Sequence, residues 1–137
     1  MLAAGNPGAY ICALCVFLGH VGPIVYKFKG GKGVATAFGA VLAVNPLLAL
    51  IALVIVAIVV FASKRMSLGS IVGAVAFAVL AAFMEPGFMA PAIVMAIIML
   101  VKHRANIVRL IHGEEPVMGI FNKKDETETD EGGQEDE

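Results

Sequence analysis

Residues 34–63 read VATAFGAVLAV-NP-LLALIALVIVAIVVFAS, thirty positions without a charge, interrupted by Asn45-Pro46. The stretch lacks the period-two alternation of a barrel strand and is far longer than a buried strand, so its backbone must satisfy itself as helix in lipid. Asn-Pro is a turn or kink signal. Taken as a turn it makes a hairpin of Val34–Val44 and Leu47–Ala62; taken as a kink it leaves one bent crossing. The first arm is about 17 Å long at about 1.5 Å per residue, against a hydrocarbon core of about 30 Å. It cannot span, but it can reach mid-membrane if protein shields its buried end.

Outward from that stretch, charge-free runs cover Leu2–Val25, Met66–Met84 and Phe88–Val101. Bases cluster between runs, at Lys27/Lys29/Lys32, Lys64/Arg65 and Lys102/Arg104/Arg109, whereas the turns Asn45-Pro46 and Glu85-Pro86-Gly87 carry none. Short cytoplasmic loops collect Lys and Arg, so two hairpins put all three clusters inside and both turns outside. A single kinked crossing would strand Lys64/Arg65 on the other face. The expected fold is an all-α integral membrane protein, a polytopic helical bundle of about four to five membrane segments, some of them short.

Composition agrees. The 137 residues are 59% hydrophobic with a mean hydropathy of +0.88, which excludes a water-soluble globule. The net charge of −1 conceals an asymmetry: all ten bases lie at or before Lys124 against Glu85, Glu114 and Glu115, and Asp125–Glu137 holds eight acids and no base. Residues 1–124 are therefore expected to form one membrane-embedded domain, and 125–137 an acidic, disordered tail. Cys12 and Cys15 sit in an apolar run without a second ligand pair and read as structural cysteines in a membrane core, not a metal or redox site. Met84, Met89, Met95 and Met99 read as gap-filling or lipid-facing. The N-terminus has no basic region and no clean cleavage site, so a removable signal is not expected.

Two segments carry chemistry. In Gly19-His20-Val21-Gly22-Pro23-Ile24-Val25-Tyr26-Lys27-Phe28-Lys29-Gly30-Gly31-Lys32-Gly33-Val34-Ala35-Thr36, glycines let backbone N–H groups close on an anion, lysines add charge, and a helix N-terminus follows. A Walker A loop is excluded because Gly33 follows Lys32, and a dinucleotide fingerprint because Thr36 stands where a glycine is needed. A juxtamembrane loop whose lysines touch anionic lipid is the alternative. In Lys102-His103-Arg104-Ala105-Asn106-Ile107-Val108-Arg109-Leu110-Ile111-His112-Gly113-Glu114-Glu115, a continuing helix would put His103 and Asn106 on one face. An imidazole, an amide and cations suit an anionic substrate with a hydroxyl to orient or deprotonate, the alternative being a helix end anchored to head groups.

The pair G-H-x-x-P…K-F-K-G-G-K-G-V-A-T and K-H-R-x-N-I-x-R-L-x-x-G-x-E closely resembles two signature motifs of the PlsY-type acyl-phosphate:glycerol-3-phosphate acyltransferases of bacteria. Ser67-Leu68-Gly69-Ser70-Ile71 resembles that family's S-L-x-S-I segment. The resemblance covers Gly19 to Glu115. It implies transfer of an acyl group from acyl phosphate to the sn-1 hydroxyl of glycerol 3-phosphate, giving lysophosphatidic acid and phosphate, in the bacterial inner membrane. It also implies a glycerol-3-phosphate site at His20, Lys29, Gly30, Gly31, Lys32, Gly33 and Thr36, an active-site pair His103 and Asn106, and structural support from Glu115. No cofactor, metal or nucleic acid is implied; the partners are the two substrates and membrane lipids.

One departure concerns the family's first motif, S-G-N-x-G-A-T-N. Ala4-Gly5-Asn6-Pro7-Gly8-Ala9 echoes it without the Ser or the Thr-Asn and reads as a loop before a helix. The chain is thus expected to be an N-terminally shortened member, weakly active or inactive alone. The competing reading is a non-catalytic membrane protein or scaffold whose basic loops hold anionic lipid.

Overall fold

The computed structural model describes residues 5–22 and 32–119. Among them are six α-helices, α1 (Pro7–Val21), α2 (Val34–Val44), α3 (Pro46–Ser63), α4 (Met66–Met84), α5 (Met89–Lys102) and α6 (Arg104–Ile111), with a 3₁₀ turn at Pro86–Phe88 and no strand. The tail beyond 119, including the acidic segment, lies outside the described residues.

Asn-Pro dipeptides start two of the helices. Asn6 Oδ1 accepts from the Gly8 N–H (2.9 Å) and Asn45 Oδ1 from the Leu48 N–H (3.1 Å), and each is followed by Pro at the first helical position. There the missing N–H costs nothing, because the first turn has no intrahelical acceptor for it. The Gly5–Ala9 echo is therefore a helix start, with the helix already begun at Pro7. Asn45 is at once the last cap of α2 and the first cap of α3, its N–H bonding Val41 O at 2.8 Å.

Two groups of contacts fix the topology as hairpins. At one end Lys32 meets Asn106, Ser67 meets Glu115, Lys102 Nζ donates to Val21 O (3.1 Å) and Met118 N to Lys64 O (2.9 Å). At the other end the Asn45 turn meets Glu85 and Glu85 meets Tyr10. The start of α2 and the end of α3 thus share one end of the bundle, which excludes a single kinked crossing.

The α3–α4 pair is held by small residues. Gly69 and Gly73, one turn apart on α4, lie where any Cβ would run into the methyls of Val56 and Val60 on α3. Without a hydrophobic force between helices in lipid, such close approach supplies the packing contacts. The opposite face of α3 presents Leu50, Val54, Ile58 and Phe61 outward, as a lipid-facing stripe does. By length and composition α3 and α4 are able to cross a membrane; α1 and α2 are shorter apolar helices. A third crossing is possible if Pro86–Lys102 and Arg104–Ile111 count as one span, and these bend by 59° at His103. The second motif is therefore a bent pair of helices and not the continuous helix considered from sequence.

Packed inside are Phe17, Val44, Leu48, Phe88 and Met95, all essentially inaccessible. Met99 is also buried whereas Met89 is exposed, so the methionines divide between core and outer surface. Cys12 and Cys15 are both exposed on α1. Neither is packed inside the bundle, and Cys12 lines a shallow groove between α1 and α2 with Val16, Gly39 and Ala43. Among the described residues no cluster of three metal-ligating side chains occurs.

A buried network at the turn-bearing end was not anticipated. Glu85 accepts hydrogen bonds from the Tyr10 hydroxyl, the Gly5 N–H (2.8 Å) and the Asn45 amide (3.1 Å), tying α1, the α2–α3 turn and the α4–α5 turn together. Phe88 lies behind it, its ring 5.4 Å from Tyr10 and 6.2 Å from Phe77. The two turns, Asn45-Pro46 and Glu85-Pro86-Gly87, are thus the two sides of one polar clasp. A carboxylate left unpaired there would be costly, and three donors are what makes it tolerable.

Candidate functional site

At the opposite end, four elements converge on Asn106 in the first turn of α6. Asn106 is buried; its Oδ1 accepts from Lys32 Nζ (2.5 Å), and its Nδ2 donates to Glu115 Oε1 (2.6 Å) and Ser67 Oγ (2.8 Å). Ser67 donates in turn to Glu115 Oε1, and Arg109 Nε pairs with Glu115 Oε2 at 2.7 Å. The loop before α2, the start of α4, α6 and the segment after it are joined through these side chains. Glu115 thus fixes the amide of Asn106, which leaves Oδ1 for the lysine.

Burial by itself would raise the Glu115 carboxyl, but hydrogen bonds from Ser67, Asn106 and Arg109, with the charge of Arg109, hold it down to about 2. A group whose pKa is lowered on folding adds stability above its ordinary value, 4.5, and loses it as pH falls through the folded value. Thermal unfolding in detergent is therefore expected to fall in midpoint between pH 4.5 and about 2. Glu115→Gln is expected to start from a lower midpoint at pH 7 and to show a shallower acid limb. An unchanged limb would assign the acid loss to other carboxylates, Glu85 first.

His103 stands at the bend between α5 and α6. Its Nδ1 lies 2.8 Å from Met99 O, a carbonyl that only accepts, so Nδ1 carries the proton. In the neutral ring Nε2 is then the acceptor. His103 is buried and lines a cavity of about 600 Å3 between α2, α3, α4 and α5. Lys32, Ser67 and Ser70 share its polar mouth with His103, and the rest of the wall is apolar, Phe38, Val41, Leu53, Val56 and Phe77 among it. A polar rim with a cation, an imidazole and hydroxyls over an apolar channel suits a molecule with an anionic head and a hydrocarbon chain.

Of the residues singled out by sequence, the fold brings together Lys32, His103, Asn106 and Glu115. Gly33 is the buried N-cap of α2 at φ +80°, where a Cβ would strike Phe17 and Val21 at 2.6 Å. Its need for glycine is thus met by a left-handed turn packed on α1. Thr36 is half-buried on α2 and His20 exposed at the end of α1, and neither lines the cavity. Lys29, Gly30 and Gly31 lie outside the described residues. Ser67 and Ser70 line the cavity as well, and the sequence reading assigns neither a role. The available signal was a pair of hydroxyls in the first turns of an apolar helix directly after Lys64-Arg65.

Comparison with known proteins gives the same reading for most of the chain. Residues 1–113 match the family model described as Glycerol-3-phosphate acyltransferase. The glycerol-3-phosphate acyltransferase of Finegoldia magna is 42% identical over 118 residues, covering 84% of this chain and 60% of that protein. The one from Laribacter hongkongensis is 46% identical over 114 residues, covering 82% and 57%. The chain thus spans somewhat under two thirds of the length of these curated relatives. Among solved structures, PlsY, described as an integral membrane glycerol 3-phosphate acyltransferase, superposes in its glycerol 3-phosphate form with a TM-score of 0.77 at 32% identity. That match covers 86% of this chain and 62% of PlsY; the lysophosphatidic acid form gives 0.71 at 31%. With Lys32 bonded to the buried Asn106–Glu115 pair on a helical membrane bundle of this form, the chain belongs to the glycerol-3-phosphate acyltransferase family.

Proposed function

We propose that this chain carries the acyl-transfer site of an enzyme that moves an acyl group from acyl phosphate to the sn-1 hydroxyl of glycerol 3-phosphate in a bacterial inner membrane. The observation that carries the reading is that Lys32 and His103 line the polar mouth of one apolar cavity, with Lys32 held by the Asn106 amide. The substrate hydroxyl oxygen bonds to the acyl carbon, the carbon–oxygen bond to phosphate breaks, and inorganic phosphate leaves. The hydroxyl proton passes to His103 Nε2 or to a substrate phosphate. Acyl phosphate is already activated, so alignment of hydroxyl on carbonyl and neutralisation of two phosphates are the main tasks.

The glycerol-3-phosphate site is assigned to Lys32 with the Lys29-Gly30-Gly31 segment before it and Gly33 after it; His20 and Thr36 flank that segment in sequence. Losing one charged hydrogen bond to phosphate costs about 1.5–3 kcal/mol, so Lys32→Ala should weaken use of glycerol 3-phosphate roughly 10- to 150-fold. The effect on acyl phosphate should be smaller, and equal losses for both would remove the assignment. The reading itself is tested by acyl transfer from acyl phosphate to labelled glycerol 3-phosphate, with the purified chain alone and joined to the polypeptide that its longer relatives carry. Absence of transfer in both, with anionic vesicles still bound, would favour a non-catalytic lipid-holding protein.

The end bearing Lys32, Lys64, Arg65, Lys102 and Arg104 is assigned to the cytoplasm by its charge. In a background without Cys12 and Cys15, Arg104→Cys should react with an impermeant thiol reagent only from the inside and Pro86→Cys only from the outside. The reverse pattern would invert the orientation.

A further inference from the structure

The apolar cavity has a definite floor. On α4 the residues that line it run from Met66 through Ser67, Ser70, Gly73 and Ala74 to Phe77 and go no further, although the helix continues to Met84. Below Phe77 the space between helices is filled by Val44, Leu48 and Ala81, all at 1% exposure or less, and on α3 the wall closes at Ala49, also at 1%. Phe77 itself is buried, and its ring stands against that of Phe88, which is fully buried and in turn packed on Tyr10 of the Glu85 clasp. The floor is therefore braced from beneath and is not a side chain free to swing aside.

Its depth is also defined. From Ser67 at the mouth to Phe77 is about 15 Å at about 1.5 Å per residue, the half-thickness of a hydrocarbon core of about 30 Å and so the depth one leaflet's chain fills. Resting on the acyl-transfer reading above, we propose that Phe77 is a specificity-determining residue, the stop against which the end of the acyl chain rests, and that it sets the longest chain the cavity takes. Chains that stop short of the ring leave apolar wall uncovered, and longer ones must bend out between helices. Ala52 supplies the opposite control: it lines the cavity one turn below Val56, which faces Gly73, and so stands level with Phe77.

The test uses the full chain in detergent with monoalkyl phosphates of increasing length, each bearing a terminal diazirine, and peptide mapping of the photolabelled residue. In the native protein the label should descend α4 from Ser70 to Phe77 as the chain lengthens and then stop. In Phe77→Ala the longest probes should label about one helical turn deeper, a shift of roughly 5 Å, at Ala81 or Phe88. In Ala52→Phe, which leaves the Phe77–Phe88 packing in place, labelling should end one turn earlier, near Ala74. A stop that stays at Phe77's level in both variants would overturn the ruler while leaving the acyl site standing. Labels without length order on the lipid-facing Leu50 and Ile58 would overturn both.

Discussion

Asn106→Ala is expected to reduce acyl transfer by roughly 10- to 150-fold and to lower the melting midpoint of the same protein. The substitution removes hydrogen bonds to two charged groups, Lys32 and Glu115, each worth about 1.5–3 kcal/mol, besides the one to Ser67. Two such bonds amount to about 3–6 kcal/mol, which bounds the combined loss. The division between folding and turnover follows from the geometry. The Nδ2 side faces the buried carboxylate and the Ser67 hydroxyl, so its loss destabilises; the Oδ1 side aims a lysine, so its loss disorders the rim of the cavity. Asn106→Asp separates the two. It keeps an oxygen for Lys32 but turns the other donor into a carboxylate oxygen facing Glu115, so at pH 7 it should destabilise at least as much as alanine and recover in part as the pH is lowered. Equal stability of Asn106→Asp and the native protein at pH 7 would mean that the Glu115 contact contributes little.

His103→Ala is expected to lower kcat by about 10²- to 10⁴-fold if Nε2 takes the hydroxyl proton. The Met99 carbonyl holds Nδ1–H, so one tautomer is preset and no reorganisation is needed before the transfer. His103→Gln preserves a polar group at the bend without a titrating base. If the histidine only orients a substrate, the glutamine variant should recover most of the rate and KM should move more than kcat. If it takes the proton, glutamine should be as slow as alanine. Loss of kcat below tenfold in both variants would leave a substrate phosphate as the base. The buried ring also packs at the 59° bend, so midpoints of unfolding must accompany the rates.

What could be read from the chain itself is what short-range physics dictates. A charge-free run has to be helical in lipid, and Asn45-Pro46 caps one helix while opening the next, because an amide oxygen and a missing N–H both suit a first turn. The run Met66–Met84 became α4 without a shifted residue, and the placement of bases and turns at opposite ends foretold the hairpins. The glycine-lysine and His-Asn segments carry their residue types locally, and the family resemblance rested on those same segments.

Tertiary structure alone decided which of these side chains meet. Lys32 and Asn106 are 74 positions apart, Tyr10 and Glu85 are 75, and Ser67 and Glu115 are 48. No periodicity links residues at such separations, because each pair depends on how three or more helices pack. The bend at His103 was equally invisible, since an α-helical pattern continues through Lys102–Arg109 and it is packing of α6 against α4 that turns it. Sequence thus determined the helices and the chemistry available at their ends, while the burial of Glu85 by donors from Gly5, Tyr10 and Asn45, and of Glu115 by Ser67 of α4 besides Asn106 and Arg109 of α6, was settled by packing, because a carboxylate is stable out of water only where the assembled fold supplies its partners.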